Sequence, residues 1–520
     1  MTRFFLLLHT IVHLKIKQIA YQLFYRLHQP EFSCIAAEGM ALHSVRPIEK
    51  YHCYNSEIFI FLNISAQFNG WNDTRHGMLW TYNLNYMDWL LQEEMTYEKG
   101  AEWIDKFIDD LPENYIGLAP YPIALRGINW IKFMSRHRQK IDGNHLHSWN
   151  ENLYSQYTLL TKKLEYHLMG NHLLEDVFSL FIASLYFSKA NWYRKYSDLL
   201  KKELEEQILP DGAHYEQSPM YHCILLDRLL DCYNFSVHNI RFKNQAEFNS
   251  FLQKKIIEML GHLESITYRD GNIPLLNDSA YGIAPTPAML KDYAQRLGLI
   301  WKAMPMRQCG YRKLNTEQIE VIVDIGNITA SYQPGHTHAD IFNYEMRISG
   351  DPFVVDTGIS TYEKNSCRQY ERSSAAHNCV VVSGKNSSEV WGGFRVGKRA
   401  KVFLLADNNN FVEARHNGYV VSCYRRFSLS EEALVIQDKI DIQAISYIHL
   451  APGVEILSAS KNKIRTDRAV IAIKGSEIID VLINKGKVST HYNTFQDNLI
   501  IEIHFSNVMC YTITPNQSIS

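Results

Sequence analysis

The period of the apolar residues changes near Met304, and this change limits the fold more than any other feature of the sequence. From about residue 75 to 300, apolar positions recur at spacings of three and four, as in FIDDLPENYIGL, LEYHLMGNHLLEDVFSLFIASLYF and MYHCILLDRLLDCYNF. That is the pattern of amphipathic helices. It predicts helices over 98–110, 122–138, 148–168, 172–188, 190–207, 219–236, 246–264 and 286–300. Many helices in succession with no strand pattern between them imply a toroid or bundle. Downstream the runs are short and alternating, as in QIEVIVDIG, PFVVDTG, NCVVVSG, ALVIQDKIDI and NLIIEIHF, with Asn, Gly and Asp between them. Such runs predict antiparallel sheets packed as a β-sandwich. The expected organisation is a helical arm and linker over 1–74, a helical domain over 75–303 and a β-sandwich over 304–520.

Composition excludes some classes of function. The net charge is −2, which gives no basic stripe for nucleic acid. The nine cysteines are scattered without a CxxC pair, so neither a disulfide framework nor a cysteine zinc site is expected. No run is long enough to span a bilayer. The N-terminus MTRFFLLLHTIVHLKIKQIAYQLFYRL shares a short apolar run with export signals. The run is broken by His9 and has no clear small-residue cleavage site, and its helical spacing favours a retained amphipathic helix. The 31 Tyr, 24 Phe and 9 Trp suit sugar binding, because flat apolar faces with polar edges match sugar rings, although most aromatics pack cores.

Side chains able to do chemistry concentrate between Ser331 and Ala400. In GHTHAD, His336, His338 and Asp340 alternate, and on an extended strand they would share one face. Asp356 ends PFVVD and His377 lies in AAHN. Two imidazoles and a carboxylate can hold a divalent ion, zinc first. Any one such histidine alone is more often a hydrogen-bonded structural residue; the clustering points to a site.

Five stretches of the helical half carry further candidates. In GNHLLED, Asn171 and His172 suit binding of a carboxylate, with Glu175 one turn beyond, while a plain helix start with an Asn cap fits as well. In PDGAHYEQSPMYH, Tyr221 lies near a helix N-terminus, where the dipole favours its phenolate, and Tyr215 competes with it. In PYPIALRGINW, Arg126 can pair with a carboxylate beside Asn129 and Trp130. Tyr82, Asn83 and Trp89 belong to an aromatic and polar cluster that either pads a core or lines a sugar cleft. Asn277 lies in IPLLNDSAYG, a rim loop or a turn.

The blocks GHTHAD, VVDTG, YERSSAAHN and WGGFRVGKRA, in that order, resemble the C-terminal domain of the heparinase II/III family of polysaccharide lyases. LWTYNLNYMDWL, PYPIALRGINW, GNHLLED, DGAHYEQSPMYH and IPLLNDS are similar to its N-terminal domain, so the resemblance covers roughly residues 75 to 400. It implies an incomplete α/α toroid joined to a β-sandwich with the cleft between them. It also implies Tyr221 and His336 as proton-transfer residues, Asn171 and His172 as neutralisers of a uronate carboxylate, and Glu175 in support. Zinc would be held by His338, Asp356 and His377, and Arg372, in YERSSAAHN, would join the substrate-binding set. One departure is Asn85, where the family's YNLHYFDWL form carries His. The implied reaction is β-elimination of an acidic polysaccharide, and the implied location is the periplasm, against a cytoplasmic one favoured by the lack of a cleavage site. A glycoside hydrolase using Glu175 and Glu216, or a non-catalytic polysaccharide-binding protein of exopolysaccharide or capsule assembly, remains an alternative.

Overall fold

A computed structural model describes residues 3–475 and 477–516. Eleven helices precede the first strand of the sandwich: α1 Arg3–Ile11, α2 Ile16–Leu27, α3 Met78–Tyr86, α4 Tyr97–Asp110, α5 Pro120–Arg136, α6 Gly143–Lys162, α7 Gly170–Tyr186, α8 Ala190–Gln207, α9 Pro219–His238, α10 Gln245–Ile266 and α11 Pro287–Arg296. From α3 onward they form an incomplete α/α toroid. Their starts are chemically marked: Thr96, Asp142, Ser218 and Thr286 each accept a backbone N–H of the first turn through the side chain. Pro120, Pro219 and Pro287 open helices with a φ already fixed for them. The largest departure from the predicted bounds is α6, which spans 143–162 and not 148–168. Asp142 caps it early, and the loop after it is pinned by Asp176, whose carboxylate accepts the Glu165 N–H at 2.8 Å.

Helix α7 is the centre of the toroid. It packs on α5, α8 and α9, and every one of its residues is buried except His172. The one side chain of α7 that reaches the surface is therefore a titratable one. The residues before α3 add a small antiparallel meander, Tyr54–Asn55, Ile58–Phe61 and Ile64–Gln67, whose inner residues Tyr54, Phe59 and Phe61 close the toroid's core.

The sandwich pairs a four-stranded sheet (Tyr311–Asn315, Ile319–Asp324, Tyr344–Ile348, Asp351–Val354) with a ten-stranded one built around Leu434–His449 and Gln496–Pro515. Val321, Val323, Tyr344 and Met346 meet Phe427, Ile436, Ile503 and Phe505 between the two sheets. Alternation fails in Ile319–Asp324, where all six residues are buried. The reason is tertiary: Tyr311 and Ile322 on the outer face pack on Ala213, Ile266, Tyr268 and Leu276 of the toroid. This second core sets the two domains against each other. The arm α1–α2 also bridges them: Thr10 Oγ1 accepts the Trp391 indole N–H at 3.1 Å, and Gln18 donates to the carbonyls of Leu168 and Tyr332. Among the described residues no helix is long and apolar enough to cross a membrane, and all nine cysteines are free.

Candidate active site

Asp278 is the hub of the site. It lies in the loop between α10 and α11 and is fully buried. Its Oδ2 accepts from His336 Nδ1 at 2.9 Å, its Oδ1 from His338 Nε2 at 2.8 Å, and Arg368 grips both oxygens at 2.5 and 2.7 Å. Burial alone would raise this carboxyl; the Arg368 guanidinium and the two imidazoles outweigh it and hold Asp278 well below the usual range. A toroid carboxylate thus ties down three sandwich side chains. An anion at Nδ1 favours the tautomer with the His336 proton there, which leaves the lone pair on Nε2, 3.4 Å from Glu216 Oε2.

His336 and His338 do not sit on a strand. Residues 333–343 form a turn-rich loop, with Pro334 and Gly335 interrupting extended structure. The loop is held by Asp278 and by Asn277, whose Oδ1 accepts the His338 N–H at 2.9 Å. The two histidines converge because they share one carboxylate and not because of strand alternation.

Around His336 the remaining groups assemble from both domains. The Tyr221 ring stacks on the imidazole with centroids 3.8 Å apart. Tyr362 donates to the Tyr221 oxygen at 3.4 Å. Tyr221 is the third residue of α9, and Ser218 Oγ accepts its backbone N–H at 3.2 Å. Burial pushes its phenol above the ordinary value despite the Tyr362 bond, so the helix dipole does not yield a phenolate. Tyr221 is protonated at neutral pH.

Asn171 donates from Nδ2 to Glu216 Oε2 at 2.8 Å, and the same nitrogen lies 3.3 Å from His336 Nε2. Its backbone N–H also goes to Glu216, at 2.8 Å. This close approach requires Gly170, whose φ is +60° and where an added Cβ would lie 2.5 Å from the Glu216 carboxylate. His172 Nδ1 bonds Glu165 at 3.0 Å, and the ring packs on Tyr121 at 4.9 Å. Burial lowers the His172 pKa, but the Glu165 carboxylate outweighs it and the net shift is upward, toward the cation. Tyr82, Tyr121, Tyr221, Tyr362 and Phe394 are all at least partly exposed; Tyr121 packs on His172, and Tyr362 packs on Phe394 beside the Tyr221–His336 stack.

Several predicted residues are placed elsewhere. Glu175 is completely buried with Arg228 Nε 3.5 Å away, and burial lifts its carboxyl to about 7 against the pull of that arginine. It offers no surface to a substrate, and with Glu216 enclosed by Asn171 the two carboxylates do not flank a sugar site. Arg126 is fully buried and donates to the carbonyls of Asn85 and Gly117 and to Gln156. Arg372 is fully buried and donates to the Thr337 carbonyl at 2.8 Å. Trp89 and Trp130 are core residues, Trp89 against Phe59 and Trp103, Trp130 against Phe107. Asn129 donates to the Tyr86 carbonyl, Tyr215 bonds Tyr332 from a buried position, and Asn277 shapes the His338 loop. Only Tyr82 and Asn83 of that set remain partly exposed. Asn85, where the family pattern has His, is buried and bonds two carbonyls.

Behind His336, the ring of His338 lies 5.2 Å from that of His377, and His377 Nδ1 bonds Asp356 Oδ2 at 2.8 Å. Both Asp356 oxygens accept protein donors, Oδ1 from Gly358 and Oδ2 also from Asn343. His338 Nδ1, His377 Nε2 and Asp340 Oδ2 are buried with no protein partner. Two bare imidazole nitrogens and a bare carboxylate oxygen are the donor types a divalent ion takes, but as they stand these side chains do not bring three ligand atoms within 4.8 Å of one another.

Residues 127–299 match the heparinase II/III N-terminus model and residues 301–517 the heparinase II/III-like C-terminal model. The chain belongs to the heparinase II/III family. Heparin-sulfate lyases of Bacteroides stercoris and Pedobacter heparinus are 21% identical over 255 residues and 23% over 248. Each alignment covers 42% of this chain but only 37% and 36% of those relatives, so the match spans little over a third of their length. Among solved structures, a heparinase III superposes with a TM-score of 0.68 at 15% identity, covering 86% of this chain and 79% of that one. The heparan sulfate lyase of Pedobacter heparinus gives 0.56 at 18% identity, covering 87% and 79%. These likenesses establish the heparinase II/III fold, toroid and sandwich together.

Proposed function

We propose that this heparinase II/III protein is a polysaccharide lyase that cleaves a uronate-containing glycan by β-elimination. The observation that carries the reading is the Tyr221–His336 stack at 3.8 Å, formed by one residue from each domain and served by Asp278, Asn171 and Tyr362. Packing alone does not call for a proton acceptor and a proton donor to be set side by side at a surface between domains.

The groups divide the reaction between them. His336 Nε2 takes the C5 proton, because Asp278 holds the other ring proton and stabilises the imidazolium that forms. As the C4–C5 double bond forms, the C4–O4 bond breaks and Tyr221, still protonated, gives its proton to the leaving O4. His172, whose Glu165 partner favours its protonated form, offsets in that form the charge that develops on the C5 carboxylate. The Asn171 amide joins it by exchanging its long contact with His336 for the substrate. Relatives named heparin-sulfate lyases make sulfated glycosaminoglycans the first substrates to test. A divalent ion, zinc first, would be held by the bare nitrogens of His338 and His377 with a carboxylate from Asp356 or Asp340. It would fix the loop that carries His336, and no proton transfer passes through it.

The test is steady-state assay of Tyr221→Phe and His336→Ala. Each should lose about 10²–10⁴ in kcat while binding polysaccharide and keeping the native circular dichroism spectrum. Undiminished activity in either would refute the assignment.

A further inference from the structure

We propose a second metal site, distinct from the His338–His377 neighbourhood, formed by Asp211, His262 and Cys309. The ligand atoms of these three residues lie within 4.8 Å of one another, and all three are buried. They come from the turn after α8, from α10 and from the segment that enters the first sandwich strand. An ion there would clamp the toroid to the sandwich.

The independent observation is a pair of orphans. Asp211 Oδ2 accepts the backbone N–H groups of Arg307 and Cys309, both at 2.9 Å, but Oδ1 has no partner. His262 Nδ1 has none either. The neighbouring His222 contributes no lone pair, since Nδ1 accepts the His214 N–H and Nε2 bonds the Met259 carbonyl. Buried polar atoms without partners cost free energy unless a missing group satisfies them. One thiol, one imidazole and one carboxylate form the mixed donor set that zinc or cobalt takes, with a water completing four-coordination. On binding, the Cys309 thiol releases its proton to solvent and no redox change occurs.

Cobalt(II) added to the purified full-length protein should give a near-ultraviolet thiolate-to-cobalt charge-transfer band that zinc displaces. The band should vanish in Cys309→Ala and weaken in the volume-conserving His262→Gln. It should persist in His377→Ala, because the His338–His377 donor set contains no sulfur. Absence of the band in the native protein, or its survival in Cys309→Ala, overturns the proposal and leaves the lyase reading untouched.

A different observation carries a second inference: the arm and the adjoining sheet edge form a docking face for an anionic lipid surface. α1 has no buried residue. Phe4 and Val12 are 64% and 75% exposed, Ile16 and Leu27 on α2 are 86% and 81% exposed, and Leu404 and Leu405 on the edge strand Val402–Asp407 are 48% and 49% exposed. A groove lined by His9, Val12 and His13 on one side and by residues 398–403 on the other joins arm to strand. The first 30 residues contain no acid; Lys15 is taken up by Glu206 and Lys17 by the Tyr166 ring, which leaves exposed Arg3 and Arg26, with Lys398, Arg399 and Lys401 flanking the groove. Apolar faces edged by cations are the composition that settles into an anionic headgroup layer.

The full-length protein should float with phosphatidylglycerol vesicles, float less at high salt and not float with phosphatidylcholine vesicles. The double variant Phe4→Glu, Val12→Glu should lose flotation and keep its basal activity on soluble polysaccharide. Flotation unaffected by the variant, none with anionic vesicles, or a dimer that the variant dissociates would each overturn this docking face.

Discussion

At the residue scale, Asp278 decides what His336 can do. Asp278→Asn replaces the anion that fixes the His336 tautomer, so kcat should fall by roughly a hundredfold or more with little change in KM. Steady-state kinetics checks it, with circular dichroism to confirm folding. His172 sets a pH limit. Its pKa is raised because Glu165 outweighs burial, so its cationic form, and the binding of a substrate carboxylate, should be lost as pH rises through that elevated value. The same sign holds for stability: the Glu165–His172 contribution is present below the unfolded pKa and disappears as pH rises through the folded one. Glu165→Gln should move the alkaline limb of kcat/KM to lower pH; an unmoved limb would remove His172 from the binding step. The HxH spacing, the NH pair and the Tyr near a helix start were all legible in the sequence. Asp278, Arg368 and Tyr362 were not, because their roles arise from contacts across 58, 90 and 141 positions that no local pattern records.

At the element scale, the helices of the toroid were readable because caps, helix-opening prolines and the 3.6 period agreed with one another. What the period could not show is which polar residue on a helix faces the cleft and which faces a neighbouring carbonyl. Arg126 illustrates the difference. Arg126→Met would leave the carbonyls of Asn85 and Gly117 and the side chain of Gln156 without their donor, at a cost of about 3 kcal/mol. A thermal melt should show a lower Tm with KM unchanged; a raised KM at an unchanged Tm would return Arg126 to the substrate site. Gly170→Ala should act in the opposite way, by pushing Glu216 from Asn171 and lowering activity more than stability.

At the scale of the whole molecule, the sandwich strands were predicted from alternation, yet the strand that matters most for assembly violates it. Ile319–Asp324 is buried on both faces because the toroid covers one of them. That packing, with Asp278 reaching from the toroid to His336, His338 and Arg368, places the reacting groups of two domains in one site. The most direct test is the absorbance at roughly 232 nm, where a C=C conjugated to a carboxylate absorbs, of full-length protein acting on heparan-type, hyaluronan-type, alginate and bacterial capsule polysaccharides, with reducing ends counted in parallel. At least one substrate should yield the conjugated 4,5-unsaturated uronate in step with new reducing ends, and His336→Ala should abolish both. New reducing ends without the chromophore would contradict it.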